Sequence, residues 1–299
     1  MTHRMVSHGP SLPLLLDHMV INTRFDMARA ARLFAGLGFT LTPQSRHTLG
    51  SINHLMVFGT DYLELVGLPD DGGPVREEIL NSAIGIDGLV FQDDDVDSMA
   101  QRLGTLAGEL APVGQFSRPV TLAEGTQDAS FRTARFAPGR FAAGRVYYCQ
   151  HLTPELIWRQ AWQHHANTAR NLSGMVVVAA DPARDAADYA QAAFAAAAVE
   201  VGPGTWQVDG ERYALTICDH ATYKTLYGDL ACEAEGRDAF FGAIEIQVDD
   251  LAMLQRVLPE LGDDVRYAIT PARVLVKLPA FNAVLTFSTA PASLRDPAS

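Results

Sequence analysis

The sequence lacks most of the features that announce a function outright. Its three cysteines, Cys149, Cys218 and Cys232, form no Cys-x-x-Cys pair, so neither a disulfide framework nor a thiolate zinc site is indicated and a reducing cytoplasm is the expected setting. Basic residues are scarce, 23 against 35 acidic for a net charge of −12. That deficit argues against nucleic acid or an anionic membrane and leaves a small-molecule substrate as the expected partner. No run reaches the roughly 18 apolar residues of a membrane span, and the richest apolar tract, 186–201, is broken by Asp188, Gln191 and Glu200. The absence of a Gly-x-Gly-x-x-Gly turn or a phosphate-cradling glycine loop argues against a nucleotide cofactor. Residues 1–13 have no signal-peptide core and read as a flexible arm.

What the sequence has is a repeat. Asp17-His18-Met19-Val20-Ile21, Asp87-Gly88-Leu89-Val90-Phe91, Ser173-Gly174-Met175-Val176-Val177 and Phe241-Gly242-Ala243-Ile244-Glu245 are copies of one strand phrase. One copy carries histidine where three carry glycine, which suggests a duplicated unit in which one copy kept a chemical group. In the first unit, a strand at 14–23 precedes a helix at 27–37 that places Ala28, Ala31, Phe34 and Ala35 on one face, and Gly36 and Gly38 stop it. Strands at 39–42, 51–58 and 62–68 complete a βαβββ order. The second unit repeats it, with a helix at 96–106 and strands near 115–122, 131–136 and 145–151. The third has its helix after Asp181-Pro182 and its last strand at 213–217. The fourth has a helix at 251–261 and strands at 273–278 and 283–287.

Such a unit has one sheet face to hide and no partner. The expected fold is therefore α+β, with four βαβββ modules paired into two curved mixed β-sheet half-barrels and helices outside. The predicted boundaries are the arm at 1–13, a first domain at 14–159, a polar boundary at 160–171, a second domain at 172–290 and a tail at 291–299. Alternation puts His18, Val20 and Asn22 on one face of the first strand, and Tyr62, Glu64 and Val66 on one face of the last.

This βαβββ repeat, with His18 on its first strand and Tyr62-Leu63-Glu64-Leu65 on its last, resembles the vicinal oxygen chelate superfamily, which includes glyoxalase I, bleomycin-resistance proteins and extradiol dioxygenases. Asp17-His18-Met19-Val20, Leu37-Gly38-Phe39-Thr40, the stretch 46–54 and Gln150-His151-Leu152-Thr153-Pro154 look more narrowly like its glyoxalase-like domain group. The resemblance implies a divalent metal on the concave face, with His18 and Glu64 as ligands and Glu64 as the catalytic group. It also marks a departure, because Gly88 stands where a second histidine is expected.

Aligning 62–65 with 148–151 puts Gln150 in register with Glu64 and His151 one residue beyond. A set of His18, Glu64 and His151, or alternatively Gln150, would suit Zn, Fe, Mn or Ni. The bland reading, in which His151 packs beside Pro154 and Gln150 only hydrogen-bonds a ligand, stays open. Asn53, His54, Arg135 and Tyr148 are the candidate substrate contacts. Arg118 and Arg132 are alternatives to Arg135, Tyr147 is the alternative to Tyr148, and a solvated face or a packed histidine is the plain alternative for each. The second half offers Gly174, Gly242, Thr216 and Thr286 at the corresponding places, and hence no metal set. Two functions fit: a metal-dependent lyase, isomerase or dioxygenase for a small oxygenated molecule, or a metal-free binding protein of the antibiotic-sequestering type. A homodimer is left open by either.

Overall fold

A computed structural model describes residues 13–103, 106 and 110–290. The expected arm, apart from Pro13, and the expected tail lie outside the described residues. Two eight-stranded mixed sheets carry the chain. The first holds β1 (Leu16–Arg24), β2 (Ser45–Arg46), β3 (Ile52–Val57), β4 (Tyr62–Gly67), β5 (Gly85–Gln92), β6 (Gly114–Leu122), β7 (Gly125–Arg135) and β8 (Arg145–His151), with helices α1 (Met27–Gly36), α2 (Glu77–Asn81) and α3 (Met99–Arg102). The second holds β9 (Ala169–Val178), β10 (Val199–Gly202), β11 (Thr205–Asp209), β12 (Ala214–Cys218), β13 (Phe240–Val248), β14 (Arg266–Ile269), β15 (Arg273–Leu278) and β16 (Ala283–Ser288), with α4 (Pro182–Ala192), α5 (His220–Tyr227) and α6 (Leu251–Val257). The spatial orders, β2-β3-β4-β1-β5-β8-β7-β6 and β10-β11-β12-β9-β13-β16-β15-β14, are the same pattern twice. This is the paired-module α+β architecture that the repeat predicts.

Each sheet is built around an antiparallel central pair, β1 with β5 and β9 with β13, and each central strand is flanked by a parallel neighbour. Strand alternation divides the side chains. Met19, Ile21, Leu63 and Leu89 of the first sheet share one core with Met175, Leu215 and Ile244 of the second and with α1 and α4. Val20, Val66, Val90, Tyr147 and Cys149 face the opposite way, into the first cup. The edges of that cup nearly close: Thr48 N donates to Ser117 O at 3.1 Å and Ser45 Oγ to Pro119 O at 2.6 Å.

The second cup is filled by its own chain. Tyr223, Tyr227, Leu230 and Cys232, from α5 and the residues after it, pack against Val176, Ala243 and Val284. Tyr223 Oη donates to Gly242 O and accepts from Cys232 N, both at 2.9 Å. The first cup keeps an ionisable interior, lined by His18, His47, Glu64 and four arginines.

Several local expectations are corrected. The buried face of α1 is Met27, Ala30, Leu33 and Phe34, while Ala28 and Ala35 are exposed, because the face carrying the larger side chains takes the core. Residues 39–42 form no strand; the amide of Thr42 makes a single link to Leu55 O. The turn before them needs Gly38 at φ +86°, where a Cβ would meet the Asn167 amide nitrogen at 3.0 Å. The helix expected at 96–106 is α3 alone, with residues 104 and 105 outside the described residues. The last helix stops at Val257, ahead of Pro259, which has no amide to continue it.

Asp61 joins the two sheets. It is 4% exposed and its Oδ1 accepts the Leu172 amide at 2.8 Å. Burial raises its carboxyl to about 7, against the opposing pull of that amide and of Arg212. In the unfolded chain the group ionises near pH 4. The folded protein therefore holds the extra proton between about pH 4 and 7, and stability falls as pH rises through that window. Asp61→Asn keeps an acceptor for Leu172 without the charge. It is expected to melt with the parent near pH 4 and about 5 °C or more above it at pH 8, by circular dichroism; coincident curves at pH 8 would refute the assignment.

Candidate functional site

The first cup is organised around a carboxylate that water does not reach. The pairing of β1 with β5 steps from Leu16–Phe91 to His18–Val90, so Asp17 is the extra residue of a bulge. A bulge re-aims a side chain, and here it lets neighbours in sequence meet: Asp17 Oδ1 lies 2.5 Å from His18 Nδ1, and Oδ2 lies 2.9 Å from His151 Nε2. Burial opposes ionisation of Asp17, but His151 and His18 outweigh it and hold the carboxyl well below its ordinary range.

With Nδ1 bound to Asp17, His18 turns Nε2 into the cup. There it stands 3.7 Å from Glu64 Oε2 and 3.1 Å from the Tyr147 hydroxyl, while Tyr62 stacks on its ring at 4.4 Å. Asn53 Nδ2 donates to Glu64 Oε1 at 2.7 Å, and the Asn53 Oδ1 is buried without a partner. Glu64 is buried, which favours its neutral form, yet His18, His47 and Asn53 together hold its carboxyl below the usual range. His47 is pushed down to about 3, chiefly by burial, so it is a neutral imidazole that accepts from Asn53 Nδ2 at 3.3 Å.

His18 and Glu64, predicted as a pair, thus share one chamber with Asn53. His151 does not line it; its Nε2 is engaged by Asp17. The expected set of His18, Glu64 and His151 is not assembled around one space, and the alternative, Gln150, points outward to Asp94 O at 2.5 Å. The cause is register. Val20 pairs with Glu64 and Val90 with Tyr147, so the residue equivalent to Glu64 is Tyr147, three before Gln150. Tyr148 is corrected in the same way: its hydroxyl donates to Ala192 O on the far side of the sheet, and Tyr147 is the inward tyrosine. His54 is turned to Thr42 O at 2.7 Å, outside the chamber. Arg135 does reach it, over the Tyr147 ring at 4.6 Å. Asp17 and His47 were not anticipated. The signal for Asp17 was its recurrence as Asp87, which occupies the matching bulge and pairs with Arg145 at 2.7 Å.

The donors fit a divalent ion in part. With metal–ligand bonds of about 2.0–2.2 Å, two ligand atoms of one ion stand about 3–4 Å apart, as His18 Nε2 and Glu64 Oε2 do. A carboxylate on the remote imidazole nitrogen is the usual support of a metal-binding histidine. The related positions are Gly88 and Tyr147, so half of a symmetric four-ligand set is missing. A second group, Asp17, Cys149 and His151, brings donor atoms within 4.8 Å of one another. Burial holds the Cys149 thiol protonated, which makes this trio the poorer cradle.

Residues 16–193, more than half of the sequence, match the family described as the glyoxalase-like domain. The chain belongs to that family. Its fold is the vicinal oxygen chelate fold. A hypothetical protein from Staphylococcus aureus superposes with a TM-score of 0.63 at 12% identity, covering 92% of this chain and 99% of its own. A mutant 4-hydroxymandelate synthase from Streptomyces coelicolor gives 0.54 at 15%, covering 93% and 92%. A xylose isomerase-like TIM barrel/4-hydroxyphenylpyruvate dioxygenase fusion protein gives 0.55 at 13%, covering 97% of this chain and 52% of its own. At these identities the likeness is one of fold. A search of curated proteins finds no match.

Two predictions follow from the geometry of this glyoxalase-like site. Asp17→Asn removes the buried charge that both imidazoles are bound to and is expected to cost about 3 kcal/mol at pH 7 by urea denaturation. Because the folded carboxyl is depressed, its contribution is complete above about pH 5 and declines as pH falls below 4, so the gap between variant and parent should narrow there. Gly88→His does not restore a ligand, since a Cβ at 88 would lie 2.7 Å from Val20 Cγ2. It should cost about 1–3 kcal/mol alone, and Val20→Ala should recover little of the loss, because Val20 Cβ itself would lie 2.8 Å from the added Cβ.

Proposed function

We propose that this chain is a divalent-metal-dependent enzyme, a lyase, isomerase or dioxygenase, acting on a small oxygenated organic molecule bound in the first cup. The observation that carries the reading is the Asp17–His18–Glu64 arrangement: an imidazole fixed through Nδ1 presents Nε2 to a buried, ionised carboxylate 3.7 Å away. His18 and Glu64 would hold the ion, with Asn53 Oδ1 as a further donor. A Zn, Fe, Mn or Ni ion in this place supplies Lewis-acid polarisation of a substrate oxygen. Glu64, kept ionised by its neighbours, is the residue able to accept a proton from the substrate. Burial keeps the Tyr147 hydroxyl protonated, so it is a hydrogen-bond donor at the same spot. The three cysteines are free and buried, in keeping with a cytoplasmic setting.

Gly88 and Tyr147 favour a second reading, a metal-free binding protein in which half of the ligand set is gone. Metal analysis of protein purified without chelators separates the two. The enzyme reading expects close to one equivalent of a divalent ion, a higher melting temperature on its addition, and loss of both in His18→Ala and Glu64→Gln. Absence of retained metal together with no thermal response to Zn, Fe, Mn or Ni would leave the binding protein.

A further inference from the structure

The chamber holds a positive charge that its own acids do not match. Arg76, Arg135 and Arg145 surround one carboxylate, Glu78: Arg76 pairs with it directly, and Arg135 and Arg145 lie 3.4 and 3.9 Å away. Arg145 is also bound to Asp87. Arg118, on β6, is different. It is 2% exposed and lines the chamber, yet no carboxylate of the described residues lies within ion-pair distance. Its Nη1 donates to Ser45 Oγ at 3.0 Å, and the Phe131 ring lies 5.9 Å from its guanidinium carbon. A guanidinium does not shed its proton when buried and carries five N–H donors, so a desolvated cation with donors to spare faces the space beside Glu64 and His18.

The shape of the space narrows what can meet it. The chamber measures about 30 Å³, room for about two waters, which is the footprint of two carboxylate oxygens and too little for a whole substrate. Beyond it lies a cleft of about 700 Å³, walled by Ile86, Phe136, Phe141 and Val146, and the two spaces have Arg135, Arg145 and Tyr147 in common. A mostly apolar cleft of that size with a few charged groups, here Glu78, Asp87, Arg135, Arg145 and Arg237, is how sites for small organic molecules are built.

We propose that Arg118 receives the carboxylate of the ligand, an organic monoacid whose apolar body lies in the adjoining cleft. The fit is a charge-assisted contact of the bidentate kind, for which the planar guanidinium is suited and a lysine is not. The inference rests on the first cup being the substrate site, but not on the metal.

Calorimetric titration of the purified protein with 4-phenylbutyrate and octanoate, each against its amide, tests it, with and without chelator. The acids are expected to bind at least tenfold more tightly than the amides in both conditions. Arg118→Met should erase the preference and Arg118→Lys should weaken the acids several-fold, so one informative variant remains if the other does not fold. Failure of the parent to bind either acid, equal binding of acid and amide, or unaltered acid affinity in a folded Arg118 variant would overturn it. An acid preference in protein that retains no metal would count against the metal-dependent reading alone; bound metal with no acid preference would count against this one alone.

Discussion

The interior of the first cup depends on one desolvated carboxylate bound by two imidazoles. An ionised group removed from water costs several kcal/mol even after relaxation, and Asp17 is tolerable only because His18 and His151 each give it a hydrogen bond and positive potential. The dependence runs both ways. Without Asp17 each ring loses the hydrogen bond that fixes its tautomer, and for His18 that bond decides which nitrogen is offered to Glu64. The bulge at Asp17 is the backbone device that makes this possible, since a regular strand would send residues 17 and 18 to opposite faces.

The duplicated architecture shows what became of the other three copies of that strand position. None is simply vacant. A side chain at Gly88 would run into Val20, one at Gly174 into Glu245, and one at Gly242 into Tyr223. In each unit a neighbour has taken the volume that an imidazole would need. In the second half Glu245 of β13 takes the place beside Gly174 and Tyr223 of α5 the place beside Gly242, and the α5 segment packs into the cup as a hydrophobic core. In the second unit Asp87 survives but faces a guanidinium, that of Arg145. Where one unit offers a histidine and a carboxylate, its pseudo-symmetric partner offers an arginine and a tyrosine.

The repeat and its strand phrases made the architecture legible, because glycine, branched residues and turns recur at matching places and the pairing of units follows from one unsatisfied sheet face. His18 and Glu64 were legible through the family resemblance, with alternation putting each on one face of its strand. What failed was register. Aligning Tyr62-Leu63-Glu64-Leu65 with 148–151 by the likeness of their letters moved the second unit's last strand by three residues, which is an odd number and therefore exchanged the faces of Tyr147 and Tyr148. Register is set by hydrogen bonds to β5, and nothing in the strand's own sequence reports them. The filling of the second cup was equally hidden, because Tyr223 and Tyr227 on a short helix do not reveal which surface they cover.

The chain's overall charge of −12 misleads about the site for a related reason. Charges on the surface are screened over about 8–10 Å at physiological ionic strength, whereas groups inside the cup interact through a medium of much lower dielectric. Arg76, Arg118, Arg135 and Arg145 lie on or beside strands of one concave surface. Their joint potential at the chamber is therefore set by the few acids within reach, Asp17, Glu64, Glu78 and Asp87, and not by the acidic excess outside. Burial raises the carboxyl of Asp87 against the opposing pull of Arg145. A protein that is anionic in solution thus lines its interior with guanidinium groups, and composition, which averages over inside and outside, had no power to show which ligand the inside selects.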